Sequence, residues 1–283
     1  MKDTYFEGKV AVVTGAGGTL CSVIAIELAK KGARVVLMGR TAEKLEKTAS
    51  AIKEFGGEYM VCPCDVNDEK ALEAVSEEIY EKWGACRFLI NGAGGNNIKA
   101  MTTHPLFDSR EITEEKPDDM TGFFDIDMDM FETVLKTNTL GTVIPSRVFG
   151  KQMAKAGEGS IINFASMNSY RPLTKVPAYA MSKGAVVSFT QWLATYLAPA
   201  GIRVNAVAPG FFVNERSKAY LGTVEEGLTP RGQSVISHTP MGRFGQAQDL
   251  VGTVSWLIDD RAAAFVTGIT VPVDGGFLSH SGI

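Results

Sequence analysis

The alternation of short apolar runs with segments of helical periodicity constrains the fold of this chain most. Val10–Val13 precedes a helical pattern at Val23–Lys31, and Arg34–Met38 precedes a second one at Ala42–Phe55. Continuous apolar strands between such helices are typical of a parallel sheet with helices on both faces. Because crossovers between parallel strands are almost always right-handed, the pattern predicts an α/β, doubly wound, Rossmann-type sheet.

The rest of the chain continues this pattern without a Pro/Gly/Ser-rich linker. The sequence therefore predicts a single domain over residues 1–283. The further strands are predicted at Glu58–Cys64, Phe88–Ile90, Ser160–Ala165, Arg203–Val207 and Ile269–Val273, and the further helices at Glu69–Trp83, Met128–Lys155, Ala178–Leu197 and Asp249–Ile258.

Two segments interrupt the pattern. Residues 96–127 are acidic and lack clear periodicity, and residues 211–245 carry scattered glycines and prolines with two short helical patches. Both follow predicted strand C-termini, where ligands bind in open α/β sheets. Long irregular segments in compact domains are usually lids or binding loops. The acidic segment has a second interpretation, a solvated surface insertion, and the sequence does not choose between the two.

Composition excludes several classes of function. The formal net charge of −4 argues against a nucleic-acid partner. No apolar run has the roughly 18 residues of a membrane helix, and the N-terminus has no signal-peptide pattern, so we expect a cytoplasmic protein. We expect no metal site, because the histidines lack ligand spacing and the cysteines lie in apolar contexts. These residues are His104, His238, His280, Cys21, Cys62, Cys64 and Cys86.

A glycine-rich turn, residues 14–21, connects the first predicted strand to the first helix. Glycines there let a pyrophosphate approach the free N–H groups of a helix N-terminus. The turn thus predicts dinucleotide contacts from Gly15, Gly18, Thr19 and Leu20. The second predicted strand ends in Arg40 without a carboxylate, which favours NADP over NAD because Arg40 can pair with a 2′-phosphate. Alternatively, Arg40 lies in solvent or stacks on the adenine.

Tyr179 and Lys183 lie four residues apart on one predicted helix, and so on the same face. An ammonium about 4 Å from a phenol contributes roughly 4 kcal/mol in a shielded site. That would lower the pKa of Tyr179 from about 10 by up to ~3 and make it an acid/base group near neutral pH. Ser166 follows a predicted strand, where its hydroxyl could hold the substrate oxygen. Asn138, in a long predicted helix, would be costly to bury without partners, and a water-bridged kink would satisfy it.

The ordered set of these motifs resembles the short-chain dehydrogenase/reductase family over the whole chain. The resemblance implies an NAD(P)-dependent enzyme that interconverts an alcohol and a carbonyl. The matching motifs are Thr14-Gly15-Ala16, Asp65-Val66, Asn91-Gly92-Ala93-Gly94, Asn138, Ser166, Tyr179 with Lys183, Pro209-Gly210 and Asp274-Gly275-Gly276.

The resemblance also implies residue roles. Tyr179 is the general acid/base, Lys183 binds the nicotinamide ribose and lowers the pKa of the tyrosine, and Ser166 orients the carbonyl. Asn138 anchors a water in the proton relay. Asp65 would bind the adenine, with Val66 packing beside it. Asn91, Gly92 and Ala93 would line the adenosine ribose and the floor of the cofactor site. The further cofactor contacts implied are Pro209, Gly210 and Phe212.

One departure concerns the glycine turn, in which Thr19 and Cys21 replace two glycines of the family pattern. Cys21 adds a side chain where close backbone approach is expected, so we expect a slightly displaced turn. Asn214 replaces a threonine that many members carry. Because neither change touches the proton-transfer residues, we still expect activity.

Within the family, the chain looks like the D-mannonate oxidoreductase (fructuronate reductase) group. This resemblance implies a sugar-acid or polyol substrate and a homotetramer, with the helices near 128–155 and 178–197 at one interface. Arg171 is a candidate carboxylate clamp or else an exposed surface residue. Alternatives are reduction of a keto-gluconate, steroid or acyl thioester, or a nucleotide-binding regulatory protein without turnover. The candidate substrate residues are Asn96, Asn97, Asn168, Arg171 and Arg216.

Overall fold

The computed structural model describes residues 4–223 and 226–281, with the backbone alone at 215 and 216. Its strands are β1 (Val10–Thr14), β2 (Arg34–Gly39), β3 (Tyr59–Pro63), β4 (Cys86–Asn91), β5 (Gly159–Phe164), β6 (Ile202–Pro209), β7 (Gly222–Thr223), β8 (Gly227–Leu228) and β9 (Thr270–Val273). Its helices are α1 (Thr19–Lys30), α2 (Ala42–Lys53), α3 (Glu69–Trp83), α4 (Met128–Ala156), α5 (Pro177–Leu197), α6 (Glu215–Leu221), α7 (Pro230–Ser237), α8 (Gln248–Ile258) and α9 (Asp260–Ala263).

Seven strands form one parallel sheet in the order β3-β2-β1-β4-β5-β6-β9. This confirms the predicted Rossmann-type sheet. Every residue of β1, β4, β5 and β6 is buried and most of these residues are apolar, which is why the segments appear in the sequence as mainly apolar runs. One core lies between the sheet and α1, α2 and α8, and the other between the sheet and α3, α4 and α5.

The chain changes direction between β1 and β4. β1 pairs with β2 on one side and with β4 on the other, so the strands that follow in sequence extend the sheet in opposite directions. Thr14 at the end of β1 lies in register with Met38 of β2 and Asn91 of β4. The loops after these strands diverge there and leave the crevice in which open α/β sheets bind ligands.

The two irregular segments both lie at this edge of the sheet. Residues 96–127 contain the 3₁₀ turns Ile98–Ala100, Ser109–Ile112 and Phe123–Asp125. Residues 211–245 contain α6, the hairpin β7–β8 and α7, which share a small apolar core. The sequence did not predict the hairpin, because two-residue strands are too short to show a period. No helix in the described ranges has the length and apolarity needed to span a membrane.

Candidate active site

The glycine-rich turn leaves the start of α1 open to a ligand. Gly15 has φ +69°, and a Cβ there would lie 2.9 Å from the carbonyl oxygen of Gly92. Gly18 is the N-cap of α1 and provides no side-chain cap to the first N–H groups of the helix. Gly18 and Thr19 are exposed and Leu20 is half-buried. A helix start of this kind fits a pyrophosphate, which its N–H groups and dipole stabilise.

Cys21 lies in α1 with its thiol turned into the protein. The side chain is 3% exposed, and burial raises the pKa of its thiol to about 12. A Cβ added at Gly92 would overlap Cys21 Sγ, so the thiol fills the space beneath the loop after β4. The cysteine therefore does not block the turn, because its thiol faces Gly92 on the neighbouring loop.

Thr14 connects the two loops of this crevice. Its Oγ1 accepts hydrogen bonds from the backbone N–H groups of Gly92 (3.0 Å) and Ala93 (3.1 Å). The same hydroxyl is placed to donate to the Ile90 carbonyl at 3.4 Å. The sequence analysis quoted Thr14 only as part of a motif; its position as the last polar residue of an apolar strand was the available signal.

The side chain of Asn91, a predicted cofactor contact, is buried beneath the loop that follows β4. Asn91 is 1% exposed, and its Nδ2 donates to Ser146 Oγ and to Asn163 Oδ1, both at 2.9 Å. Its amide lies beneath the floor and connects β4 to α4 and β5. Gly92 and Ala93, which are half-buried, form the floor itself.

Asn138 and Lys183 converge on the loop after β4. Asn138 Nδ2 donates to the carbonyl groups of Gly95 (2.8 Å) and Val134 (2.9 Å), and its Oδ1 accepts from Gly95 N–H (3.0 Å). These direct bonds satisfy the buried amide, so the expected water-bridged kink is not needed. A Cβ at Gly94 would overlap Asn138 Oδ1 and lie 3.6 Å from Lys183 Nζ.

Lys183 is buried in α5, and its Nζ donates to the Phe164 carbonyl at 2.6 Å. Burial lowers the pKa of its ammonium to about 8. The Phe164 carbonyl ends β5, so the bond anchors the lysine at the edge of the sheet that carries the crevice. One acceptor leaves other N–H bonds of the ammonium for a ligand at the Gly94 loop.

Ser166 and Tyr179 face each other across this site. Burial raises the pKa of the Tyr179 phenol, and a hydrogen bond with Ser166 acts in the opposite direction. Lys183 Nζ lies 5.7 Å from the centre of the Tyr179 ring. In the protein alone, burial is the largest influence on the pKa of this phenol, and the lowering by Lys183 stays a prediction for the enzyme with its cofactor bound.

The ends of β2 and β3 form the side of the crevice at which the sequence predicts the adenine. Arg40 is exposed directly after β2. Asp65 Oδ1 accepts from the backbone N–H of Asn67 at 2.9 Å. Val66 is 5% exposed and packs closely against Gly141 of α4, where an added Cβ would lie 2.8 Å from Val66 Cγ2. The side chain of Val66 is thus fixed against α4, and its contact with the adenine stays a prediction.

The loop after β6 continues into the segment over residues 211–245. Pro209 ends β6, and Gly210 N–H donates to the Val273 carbonyl at 2.9 Å. Phe212 is 9% exposed and packs against Gly245, whose N–H donates to the Phe211 carbonyl. The aromatic ring of Phe212 therefore belongs to the packing of this segment and lines a cavity of about 390 Å³ between the loop and β9.

The candidate substrate residues whose side chains are described lie in two places, the start of the 96–127 segment and the stretch after β5. Asn96 is exposed, and Asn97 Nδ2 donates to Met130 Sδ at 3.4 Å, at the start of the 96–127 segment. Asn168 is buried beside Ser166, with its backbone N–H donating to Ser166 Oγ at 3.2 Å. Arg171 is exposed and donates to the His280 carbonyl at 2.8 Å. The side chain of Arg216 lies outside the described residues.

The donor set fits a nicotinamide dinucleotide. The open start of α1 matches the phosphates, and Lys183 with the Gly94 loop matches a ribose, since ammonium and backbone groups bond hydroxyls. In the ranges that the structure describes, no cluster of three or more His, Cys, Asp or Glu side chains could hold a metal ion.

Comparison with known proteins agrees with this geometry. The family model described as short chain dehydrogenase matches residues 9–221. The chain is 45% identical over 276 residues to "Uncharacterized oxidoreductase UxuB" of Bacillus subtilis (strain 168), covering 98% of this chain and 97% of that protein.

Two solved structures share the fold over nearly the whole length. A "putative D-Mannonate oxidoreductase" from Haemophilus influenza with bound NAD has a TM-score of 0.90 and 41% identity, covering 98% of this chain and 97% of that one. A gluconate 5-dehydrogenase from Burkholderia cenocepacia J2315 in complex with NADP and tartrate has a TM-score of 0.82 and 27% identity, covering 98% of each chain. This chain belongs to the short-chain dehydrogenase family and is an NAD(P)-dependent oxidoreductase.

Proposed function

We propose that the protein interconverts a secondary alcohol and a ketone on a sugar acid or polyol, with D-mannonate and D-fructuronate as the pair. The observation that carries the proposal is the convergence of Ser166, Tyr179 and Lys183 beside the open start of α1. The Haemophilus and Burkholderia relatives, named for D-mannonate and gluconate, support the substrate class.

In the reductive direction, Tyr179 is the proton donor. Its raised pKa keeps the phenol protonated at neutral pH, as a general acid requires. Ser166 donates a hydrogen bond to the same substrate oxygen and stabilises the charge that develops there. Lys183, with a pKa of about 8, is mostly cationic at pH 7 and holds the ribose hydroxyls. The nicotinamide, when bound, supplies the hydride.

The test is turnover with a panel of keto-sugar acids. D-fructuronate with NADPH or NADH is expected to consume absorbance at 340 nm, and a panel that leaves it flat with both coenzymes would refute the substrate class. Tyr179→Phe is expected to abolish turnover and leave coenzyme binding nearly unchanged. Tyr80→Phe, at an exposed tyrosine on α3, is the control. Retained turnover in Tyr179→Phe would remove this residue from its role.

For the coenzyme, we propose a preference for NADP through Arg40. The support is that β2 is followed by an exposed arginine and no carboxylate. The two solved relatives bind NAD in one case and NADP in the other. Arg40→Gln is expected to raise KM for NADPH about 10-fold, the loss of one charged hydrogen bond, with KM for NADH unchanged. Equal effects on both coenzymes would contradict the proposal.

For the substrate carboxylate, we propose Arg171 as the clamp. A guanidinium has five N–H donors, and the bond to His280 uses one of them. Arg171→Gln is expected to raise KM for D-fructuronate about 10-fold and to leave KM for an uncharged ketose unchanged. An equal rise for both substrates would show that the arginine only anchors the His280 segment.

We also propose a homotetramer in which α4 and α5 form one interface. The exposed face of α5 carries Trp192 and Tyr196, whose rings stack at 5.1 Å with 59% and 67% exposure, and α4 exposes Leu140. Exposed aromatic surface of this kind marks association sites. Light scattering is expected to give four times 30.4 kDa, and Trp192→Asp to give a smaller species. A monomeric wild type would contradict the proposal.

A further inference from the structure

The side-chain amide of Asn168 has a fixed orientation. Asn168 lies in the 3₁₀ turn Met167–Ser169 after β5 and is 5% exposed. Its Oδ1 accepts the backbone N–H of Leu173 at 3.0 Å. Because a backbone N–H can only donate, this contact identifies the carbonyl side of the amide. The NH₂ side is therefore the one that faces Ser166.

Asn168 donates twice to the Ser166 hydroxyl. Its backbone N–H lies 3.2 Å and its Nδ2 3.4 Å from Ser166 Oγ. A serine hydroxyl has two acceptor positions and one hydrogen to donate. With both acceptor positions filled, the hydrogen must be donated away from Asn168. Tyr179, which forms a side-chain hydrogen bond with Ser166, is the group placed to receive it.

Ser169 does not compete for this hydrogen. Its Oγ donates to the Lys183 carbonyl at 2.8 Å and accepts the Ser166 backbone N–H at 3.3 Å. These bonds hold the turn against α5 and leave the Ser166 hydrogen available for the bond with Tyr179.

We propose that Asn168 is a positioning residue that keeps Ser166 in the role of hydrogen-bond donor to the reacting oxygen. The inference rests on the proposed function and gives Asn168 a role through Ser166, beyond the substrate contact predicted from the sequence. A ketone oxygen accepts hydrogen bonds and cannot donate them, so reduction requires Ser166 to donate. If the serine hydrogen turned toward another acceptor, the developing charge on the substrate oxygen would lose this partner.

The Asn168→Asp variant tests the proposal, because it keeps the shape and the acceptor for Leu173 but replaces the second donor with an acceptor. The carboxylate is expected to capture the Ser166 hydrogen and to lower kcat about 100-fold, with the coenzyme KM unchanged. Below the pKa of this carboxyl, its O–H can donate again, so the deficit relative to wild type is expected to shrink as the pH falls from 8 to 5. Asn168→Ala is expected to lower kcat about 10-fold at every pH.

A double-mutant cycle separates this effect from the added charge. On a Ser166→Ala background, Asn168→Asp is expected to cost less than about threefold, because the hydroxyl that it captures is absent. The proposal is overturned by an unchanged kcat in Asn168→Asp or by an equal loss on both backgrounds. If the aspartate variant fails to bind coenzyme, Asn168→Ala decides, with a lowered kcat in support and an unchanged kcat against.

Failure of the proposed function has a different signature. A wild type that reduces no ketone refutes the substrate assignment, and the role of Asn168 is then read from the Tyr179 pKa by NMR of ¹³C-tyrosine-labelled protein. Asn168→Ala is expected to raise that pKa, since Ser166 is no longer held as a donor to the phenolate. An unchanged pKa would overturn the inference.

Discussion

Gly92 and Cys21 form a complementary pair, and we expect substitutions at the two positions to be strongly coupled. A Cβ at Gly92 would overlap Cys21 Sγ, with the Thr14 carbonyl oxygen at 3.1 Å and Cys21 Cβ at 3.6 Å. Overpacking of a buried site costs about 1–3 kcal/mol. At the middle of this range, about 2 kcal/mol, and with about 2–4 °C for each kcal/mol in a large domain, Gly92→Ala alone is expected to lower Tm by roughly 4–8 °C.

Removal of the thiol is expected to rescue this loss. Cys21→Ala alone deletes a small buried group and costs about 1 kcal/mol. In the double variant, the added methyl meets the retained Cβ at 3.6 Å, which is ordinary contact, and the Thr14 carbonyl oxygen at 3.1 Å, which must shift by a few tenths of an ångström. Gly92→Ala is then expected to cost less than about 0.5 kcal/mol, giving a coupling free energy of about 1.5–2 kcal/mol.

The assay is thermal unfolding of the four proteins at one protein concentration, together with coenzyme Kd by calorimetry. Gly92 N–H is bonded to Thr14 Oγ1 on the crevice floor, so we expect coenzyme Kd to weaken in Gly92→Ala and to recover in the double variant. If the losses of Tm in the two single variants simply add in the double variant, the inward position of the Cys21 thiol against Gly92 is refuted.

The remaining predictions concern the groups around the crevice. Thr14→Val removes the acceptor of the Gly92 and Ala93 N–H groups. It is expected to cost about 2–3 kcal/mol of unfolding free energy and to weaken coenzyme binding. Thr14→Ser retains the acceptor and is expected to retain stability and coenzyme binding, so equal losses in the two variants would contradict this prediction. Lys183 has a pKa of about 8 when folded against 10.5 when free, so the unfolded chain binds more protons between these values and stability rises with pH there. Urea unfolding is expected to show wild type gaining about 1–2 kcal/mol relative to Lys183→Met from pH 8 to 9.5, and parallel pH profiles would contradict the assignment. Asn138→Ala removes the partner of both polar groups of Gly95 and is expected to cost about 2–4 kcal/mol in urea unfolding; a loss below about 1 kcal/mol would show that water replaces the amide.

The sheet could be predicted from the sequence because parallel strands buried on both faces appear as unbroken apolar runs. The strand Phe88–Ile90 was predicted too short by three residues: β4 also includes Cys86, Arg87 and Asn91. Arg87 and Asn91 are buried polar residues, whose burial depends on partners far along the chain. Long-range hydrogen bonds therefore determine where such a strand ends, and periodicity does not report them.

The catalytic side chains could be listed from the sequence, but their electrostatics could not. The i, i+4 spacing correctly places Tyr179 and Lys183 on one helix, yet it says nothing of the Phe164 carbonyl that holds the ammonium. For Asn138 the sequence offered a water-bridged kink as one way to satisfy the amide, because its partner Gly95 is 43 residues away in sequence. In each case the missing quantity is a contact made by the tertiary fold.

The amide of Asn91 is the centre of a hydrogen-bond chain with practical consequences for redesign. It bonds Ser146 of α4 and Asn163 of β5, and Asn163 Nδ2 bonds Thr190 of α5 at 2.9 Å. Each hydrogen bond joins a donor to an acceptor, so replacement of one of these residues by an apolar residue leaves buried polar groups of its neighbours without partners. A mutant library that seeks new substrates should therefore randomise the loops at 96–127 and 211–245 and keep this internal scaffold invariant.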